Sequence, residues 1–102
     1  MAQKPVSVTI DKGKSISVDN PKVSVNKNSD TVQWTGNGSQ AFNIVFPGSG
    51  GSKVTCALDA KTNNYVCTSE TFANTTGAKL TVKYNVTSQG TPTLDPDVEI
   101  FP

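Results

Sequence analysis

A chain of 102 residues is long enough for one domain with a single core, and its 34% hydrophobic content favours pleated, half-buried strands over helices, being mostly Val, Ile and Phe with little Leu. Nine Lys and no Arg against eight acids leave a net charge of +1, which excludes the concentrated cationic surface that nucleic acid requires. No apolar run is long enough to span a bilayer, so membrane insertion is not expected.

In chain order, residues 1–5 lack the apolar stretch of a signal peptide. That suits a cytoplasmic protein or one whose signal has been removed. Val6, Val8 and Ile10 alternate with Ser7 and Thr9, a period of two that reads as a strand with one buried face. Lys12 and Lys14 flank Gly13 in a solvated turn rather than a binding patch. Ile16 and Val18 continue the alternation, Pro21 interrupts it, and Val23 with Val25 resumes it.

Residues 30–46 carry the only Trp and two of the four Phe, and read as two strands about a Gly36-Asn37-Gly38 turn. Val32 and Trp34 share one face of the first strand, and Phe42, Ile44 and Phe46 share one face of the second. Residues 47–52 are rich in Gly and Ser and read as a mobile loop. They do not end in the Gly-Lys-Ser/Thr of a phosphate-binding loop.

Cys56 and Cys67 lie on two strands joined by the polar turn 59–64, and a register that sets one opposite the other puts Leu58 opposite Tyr65. This suits a structural disulfide closing a short loop, which contributes roughly 2–3 kcal/mol and requires an oxidising compartment. The alternative is two free buried thiols. The spacing is poor for zinc and the Cys-x-x-Cys redox motif is absent. Residues 69–77 read as a loop with room for one helical turn around Glu70 to Phe72. Leu80, Val82, Tyr84 and Val86 then alternate without a fault, and Val98 to Phe101 form the last element. About seven to nine short strands at this spacing predict an all-β fold, a Greek-key β-sandwich, as a single domain over residues 1–102.

Asn37, Asn74 and Asn85 each begin an N-glycosylation acceptor, but a chain so rich in Asn, Ser and Thr contains such matches by chance.

Two strings resemble the cupredoxin family, the small sandwiches that include plastocyanin and pseudoazurin. One is Asp30-Thr31-Val32-Gln33-Trp34 followed by Phe42-Asn43-Ile44-Val45-Phe46, similar to the family's Val-x-Trp strand and its His-Asn-Val-Val-Phe segment. The other runs from Tyr84 to Ile100, similar to the family's last strands and the ligand loop between them. The resemblance covers roughly residues 16–102 and implies a cupredoxin-like sandwich. It also implies where copper ligands would fall, and those positions hold Phe42, Val86, Gln89 and Leu94 in place of His, Cys, His and Met. None of them ligates copper. The chain has no His, and its one Met is Met1, so blue-copper electron transfer has no ligand set here. Since Phe42, Val86 and Leu94 are apolar, the vacated position is expected to be filled and dry.

Without His there is no Ser-His or Cys-His nucleophile pair. Asp95, Asp97 and Glu99 could form a weak calcium site, but a solvated acidic edge that discourages strand pairing is the plainer reading. Trp34, Tyr65 and Tyr84 fall on inward faces, which favours core packing over a sugar platform. The expectation is therefore a non-catalytic module with no cofactor, secreted or periplasmic with a cytoplasmic location open, monomeric, and serving an unknown protein or glycan partner. Its recognition surface is expected on loops 36–41 and 88–93, with Asn37, Ser39, Gln40, Gln89 and Thr91, and on loop 48–52. The competing classes are a self-assembling surface or fibre subunit and a hydrolase working with carboxylates alone.

Overall fold

Wherever Val, Ile or an aromatic alternates with a polar residue, the chain is extended. The computed structural model describes residues 2–48 and 50–102, and these form ten strands and no helix. The strands are β1 (Gln3–Asp11), β2 (Ser15–Val18), β3 (Lys22–Asn26), β4 (Thr31–Gly36), β5 (Asn43–Val45), β6 (Val54–Asp59), β7 (Asn64–Ser69), β8 (Leu80–Lys83), β9 (Asn85–Thr87) and β10 (Asp97–Phe101). The fold is an all-β sandwich. One layer has the order β2-β1-β4-β7-β6, and the other contains β3-β10-β8 and the pair β5-β9. β1 runs parallel to β4 and β3 parallel to β10, and the other pairings are antiparallel.

Residues 80–87, one strand by alternation, divide at Tyr84 because the chain changes partners there. Lys83 still pairs with Asp97 of β10, whereas Asn85 pairs with Val45 of β5. Counted as one extended segment, they bring the strands to nine. Residues 30–46 also behave differently from a hairpin. β4 belongs to the five-stranded sheet and β5 pairs with β9, so the Gly36-Asn37-Gly38 turn carries the chain from one layer to the other. The helical turn expected around Glu70 is absent, since residues 70–75 carry no regular structure. Those residues instead tie down neighbouring segments: Glu70 N–H donates to Lys53 O at 2.9 Å and Asn28 N–H to Phe72 O at 2.7 Å.

The inward faces meet in one core that includes Val6, Val8, Trp34, Phe42, Phe72, Tyr84, Val86 and Ile100. Val6, Trp34, Cys67 and Cys56 form a single rung across four strands of the larger sheet. Cys56 and Cys67 are disulfide-bonded, with Cα atoms 4.0 Å apart, the close spacing of a non-hydrogen-bonded pair. Trp34 and Tyr84 tie the two layers together. Both are fully buried, their rings meet edge-on at 5.3 Å, and Trp34 Nε1–H donates to Tyr84 Oη at 3.0 Å. Burial pushes the Tyr84 phenol up to about 12, against the opposing effect of the Trp34 hydrogen bond.

Two polar groups brace the opposite end. Asp30 is buried and accepts N–H bonds from Asn26 at 2.9 Å and Ala2 at 3.0 Å. The Asn26 bond outweighs desolvation, and with the Ala2 bond and the Lys4 charge it holds the carboxyl below its usual value. Asn74 is also buried, and its Nδ2 donates to Ala78 O at 2.7 Å and Ile100 O at 2.8 Å. Its amide is thus a structural clasp rather than an exposed glycan acceptor.

Candidate functional site

The end of the sandwich at which β4 gives way to β5 gathers loops from three parts of the chain. Between them lies an open groove of about 1090 Å³. Asn37, Ser39, Gln40 and Gln89, four of the five residues expected on a recognition surface, line it. The fifth, Thr91, sits outside the groove and closes the loop beneath it, its Oγ1–H donating to Ser88 O at 3.0 Å. The described residues of loop 48–52 do not line it. Ser49 lies outside the described residues, and an added Cβ on Gly50 would meet Val82 and Leu80 rather than the groove.

Sequence reasoning missed the β1–β2 turn. Ile10, Lys12 and Gly13 form one wall, and Gly13 Cα comes within 3.5 Å of where a Cβ on Gly90 would sit. Two glycines at positive φ, +76° and +84°, permit this close approach of the two turns. The signal available in sequence was only a short Gly turn flanked by lysines, which does not say where the turn points.

Cross-loop hydrogen bonds hold the walls. Gln40 Nε2 donates to Ser88 Oγ at 3.0 Å and Gln89 O at 3.3 Å, and Ser88 Oγ–H donates to Ala41 O at 2.8 Å. Asn37 behaves as a surrogate strand residue, accepting Ile10 N–H at 3.1 Å and returning Nδ2–H to Ile10 O at 3.4 Å. Tyr65 N–H donates to Gly38 O at 2.8 Å. These bonds consume both Nε2 hydrogens of Gln40 and both sides of the Asn37 amide. Gln40 Oε1 and the polar groups of Ser39, Asn43 and Gln89 remain for a ligand. Of the residues lining the groove, Lys12 alone ionises.

The floor is apolar and packed. Phe42 is 1% exposed and meets Tyr65 edge-on at 5.4 Å. Gly36 lies against it, and an added Cβ would come 3.0 Å from Phe42 Cε1 and 3.2 Å from Tyr65 O. Val86 and Leu94, two of the positions at which the family resemblance puts copper ligands, are joined by backbone bonds of 2.9 and 3.0 Å. Val86 is also opposite Ile44, two residues from Phe42. Val86 is fully buried and Leu94 packs on the core, so these apolar side chains fill space rather than line a cavity. Gln89, the remaining position of that set, is exposed in its loop.

The acidic run is engaged elsewhere. β10 is not an edge strand, because β3 and β8 flank it. This corrects the expectation of an acidic edge. Its acids face lysines on β8 and the approach to it: Lys83 Nζ lies 3.2 Å from Asp97 and 3.8 Å from Asp95, and Lys79 Nζ lies 3.0 Å from Glu99. The Asp97 hydrogen bond, with the charge of Asp95, raises the Lys83 ammonium above its usual value. Among the described residues no group of three or more His, Cys, Asp or Glu is arranged to hold a metal ion. No described helix is long and apolar enough to cross a membrane.

Compared with known proteins, the chain matches no protein-family model and no curated protein sequence.

Proposed function

We propose that this chain is a copper-free, cupredoxin-like module that binds a neutral, hydroxyl-rich ligand, a glycan, in the groove at its loop end. The carrying observation is the groove's composition: amides and hydroxyls on walls braced by hydrogen bonds, with a single cation and no acid. Amides both donate and accept, which matches sugar hydroxyls, and their fixed positions lower the ordering cost of binding. Exposed aromatic stacking is missing, because Phe42 is buried, so affinity must come from hydrogen bonds alone and will be modest. Binding rather than catalysis fits the absence of His and the lack of any carboxylate in the groove to move a proton.

The family reading is supported by the sandwich and by the nearness of Phe42, Val86 and Leu94 at one end of it. The disulfide is compatible with a secreted or periplasmic location. Calorimetric titration against neutral oligosaccharides tests the binding reading. Binding should persist at high salt, because no charge pairing drives it, and should be lost in Asn43→Ala and Gln89→Ala. Saturable binding that is unaffected by both substitutions would contradict it.

A further inference from the structure

The larger sheet ends at β2 and β6, and the other layer at β3, β8 and the β5-β9 pair, and several of these strands carry devices that discourage pairing with another chain. β2 has four residues and follows Lys12 and Lys14. β3 begins with Lys22 after Pro21, and β5 has three residues and is soon followed by Pro47. β6 is the longest of them: its six residues, Val54–Asp59, follow Lys53 and include neither Lys nor Pro, and Leu58 is 49% exposed, as is Val45 on the three-residue β5.

The hydrogen-bond parity of β6 shows which groups face outward. Glu70 N–H donates to Lys53 O one step beyond the β6–β7 register. By alternation, Thr55, Ala57 and Asp59 turn their N–H and C=O towards β7, and Val54, Cys56 and Leu58 turn theirs to the open side. Among the described residues, no hydrogen bond outside the strand ladders engages these three backbones.

We infer that β6 is a self-association edge, at which a second copy of this chain pairs antiparallel about a two-fold axis through Cys56. In that register Lys53 stands opposite Asp59 of the second copy at both ends, Val54 stands opposite Leu58, and Thr55 opposite Ala57. Lys53 and Asp59 share one face of the strand, and Val54 and Leu58 the other, so each pair meets on its own side. Shifting the axis to Ala57 would set Lys53 against Lys61. Shifting it to Thr55 would leave Leu58 opposite Ser52 and Asp59 opposite Gly51. The register through Cys56 therefore pairs all six residues, satisfies the three open backbones and covers Leu58. It would join the two larger sheets into one continuous sheet.

The test is sedimentation velocity from low micromolar to near-millimolar concentration, combined with amide hydrogen exchange. The expected result is a concentration-dependent dimer in which the Val54, Cys56 and Leu58 amides gain protection. Lys53→Asp meets Asp59 at both ends and should weaken dimerisation roughly tenfold or more, since each cross-strand charge pair counts twice. The double variant Lys53→Asp, Asp59→Lys should restore it. Asp59 also accepts the Lys61 N–H at 3.0 Å, so the double variant could lose its turn. Lys53→Asp leaves that turn intact and decides by itself. A chain that stays monomeric throughout, a dimer whose three amides exchange freely, or a Lys53→Asp variant that dimerises like the parent would each overturn the inference. All these outcomes are independent of glycan binding at the loop end.

Discussion

Tyr84→Phe isolates the bond that ties the layers. The substitution keeps the ring and its edge-on contact with Trp34 and removes one oxygen. Because both side chains are fully buried, water cannot replace the lost partner and Trp34 Nε1–H is left unsatisfied. An orphaned buried donor costs about 1–3 kcal/mol, which for a chain of this size lowers Tm by about 5–15 °C. A second consequence is specific to the phenol. Its value is raised to about 12 in the folded protein, against about 10 in the unfolded chain, so the folded state holds its proton more tightly. That stability is fully present below about pH 10 and is lost as pH rises through about 12, reaching roughly 2–3 kcal/mol. The gap between parent and variant should therefore be widest near neutrality and close on the alkaline side. Urea unfolding at several pH values, read by Trp34 fluorescence, measures both effects. A variant within about 0.5 kcal/mol of the parent at neutral pH, or a gap that does not change with pH, would refute the reasoning.

Reducing the Cys56–Cys67 disulfide should cost roughly 2–3 kcal/mol by releasing a short loop in the unfolded chain, read as a lower urea midpoint in the presence of reductant. On the acid side, Asp30 has a lowered folded value, so its contribution is present above the ordinary carboxylate range and is lost as pH falls through the folded value. Asp30→Asn should flatten the acid limb of the stability profile, and an unchanged limb would assign acid unfolding to other carboxylates. Gly51→Ala would drive a Cβ into Phe46 Cβ, so Phe46 must move away from Phe72 and Tyr84. Overpacking of this kind should cost about 1–3 kcal/mol in thermal unfolding.

Alternation made most of the strands legible, because a strand with one buried face must place apolar residues at every second position. The hairpin of β6 and β7 was readable to the residue, with Cys56 opposite Cys67 and Leu58 opposite Tyr65. Pairing between distant segments was not. Nothing local in residues 80–87 says that the ladder passes from β10 to β5 at Tyr84, since the side-chain period is the same on both sides. For the same reason nothing local in the Gly36-Asn37-Gly38 turn says that it crosses between layers. The acids of β10 looked like a guarded edge, and only the parallel partner β3, distant in sequence, makes that strand internal. At the candidate site, turn composition marked residues 36–41 and 88–93 as loops, and of these Asn37 to Ala41 and Ser88 to Gly90 line the groove. Lys12 and Gly13 were invisible because their place depends on how far β1 extends past β4, a property of register rather than composition.

Mapping backbone amide shifts during titration with a neutral oligosaccharide decides whether the hydrogen-bonding groove at the loop end is the recognition surface. Recognition there predicts saturable shifts confined to residues 38–43 and 87–90 and the β1–β2 turn, with Thr55, Thr68 and Val66 on the sheet's outer face unmoved. Shifts centred on that outer face, or none at saturating sugar, would contradict it.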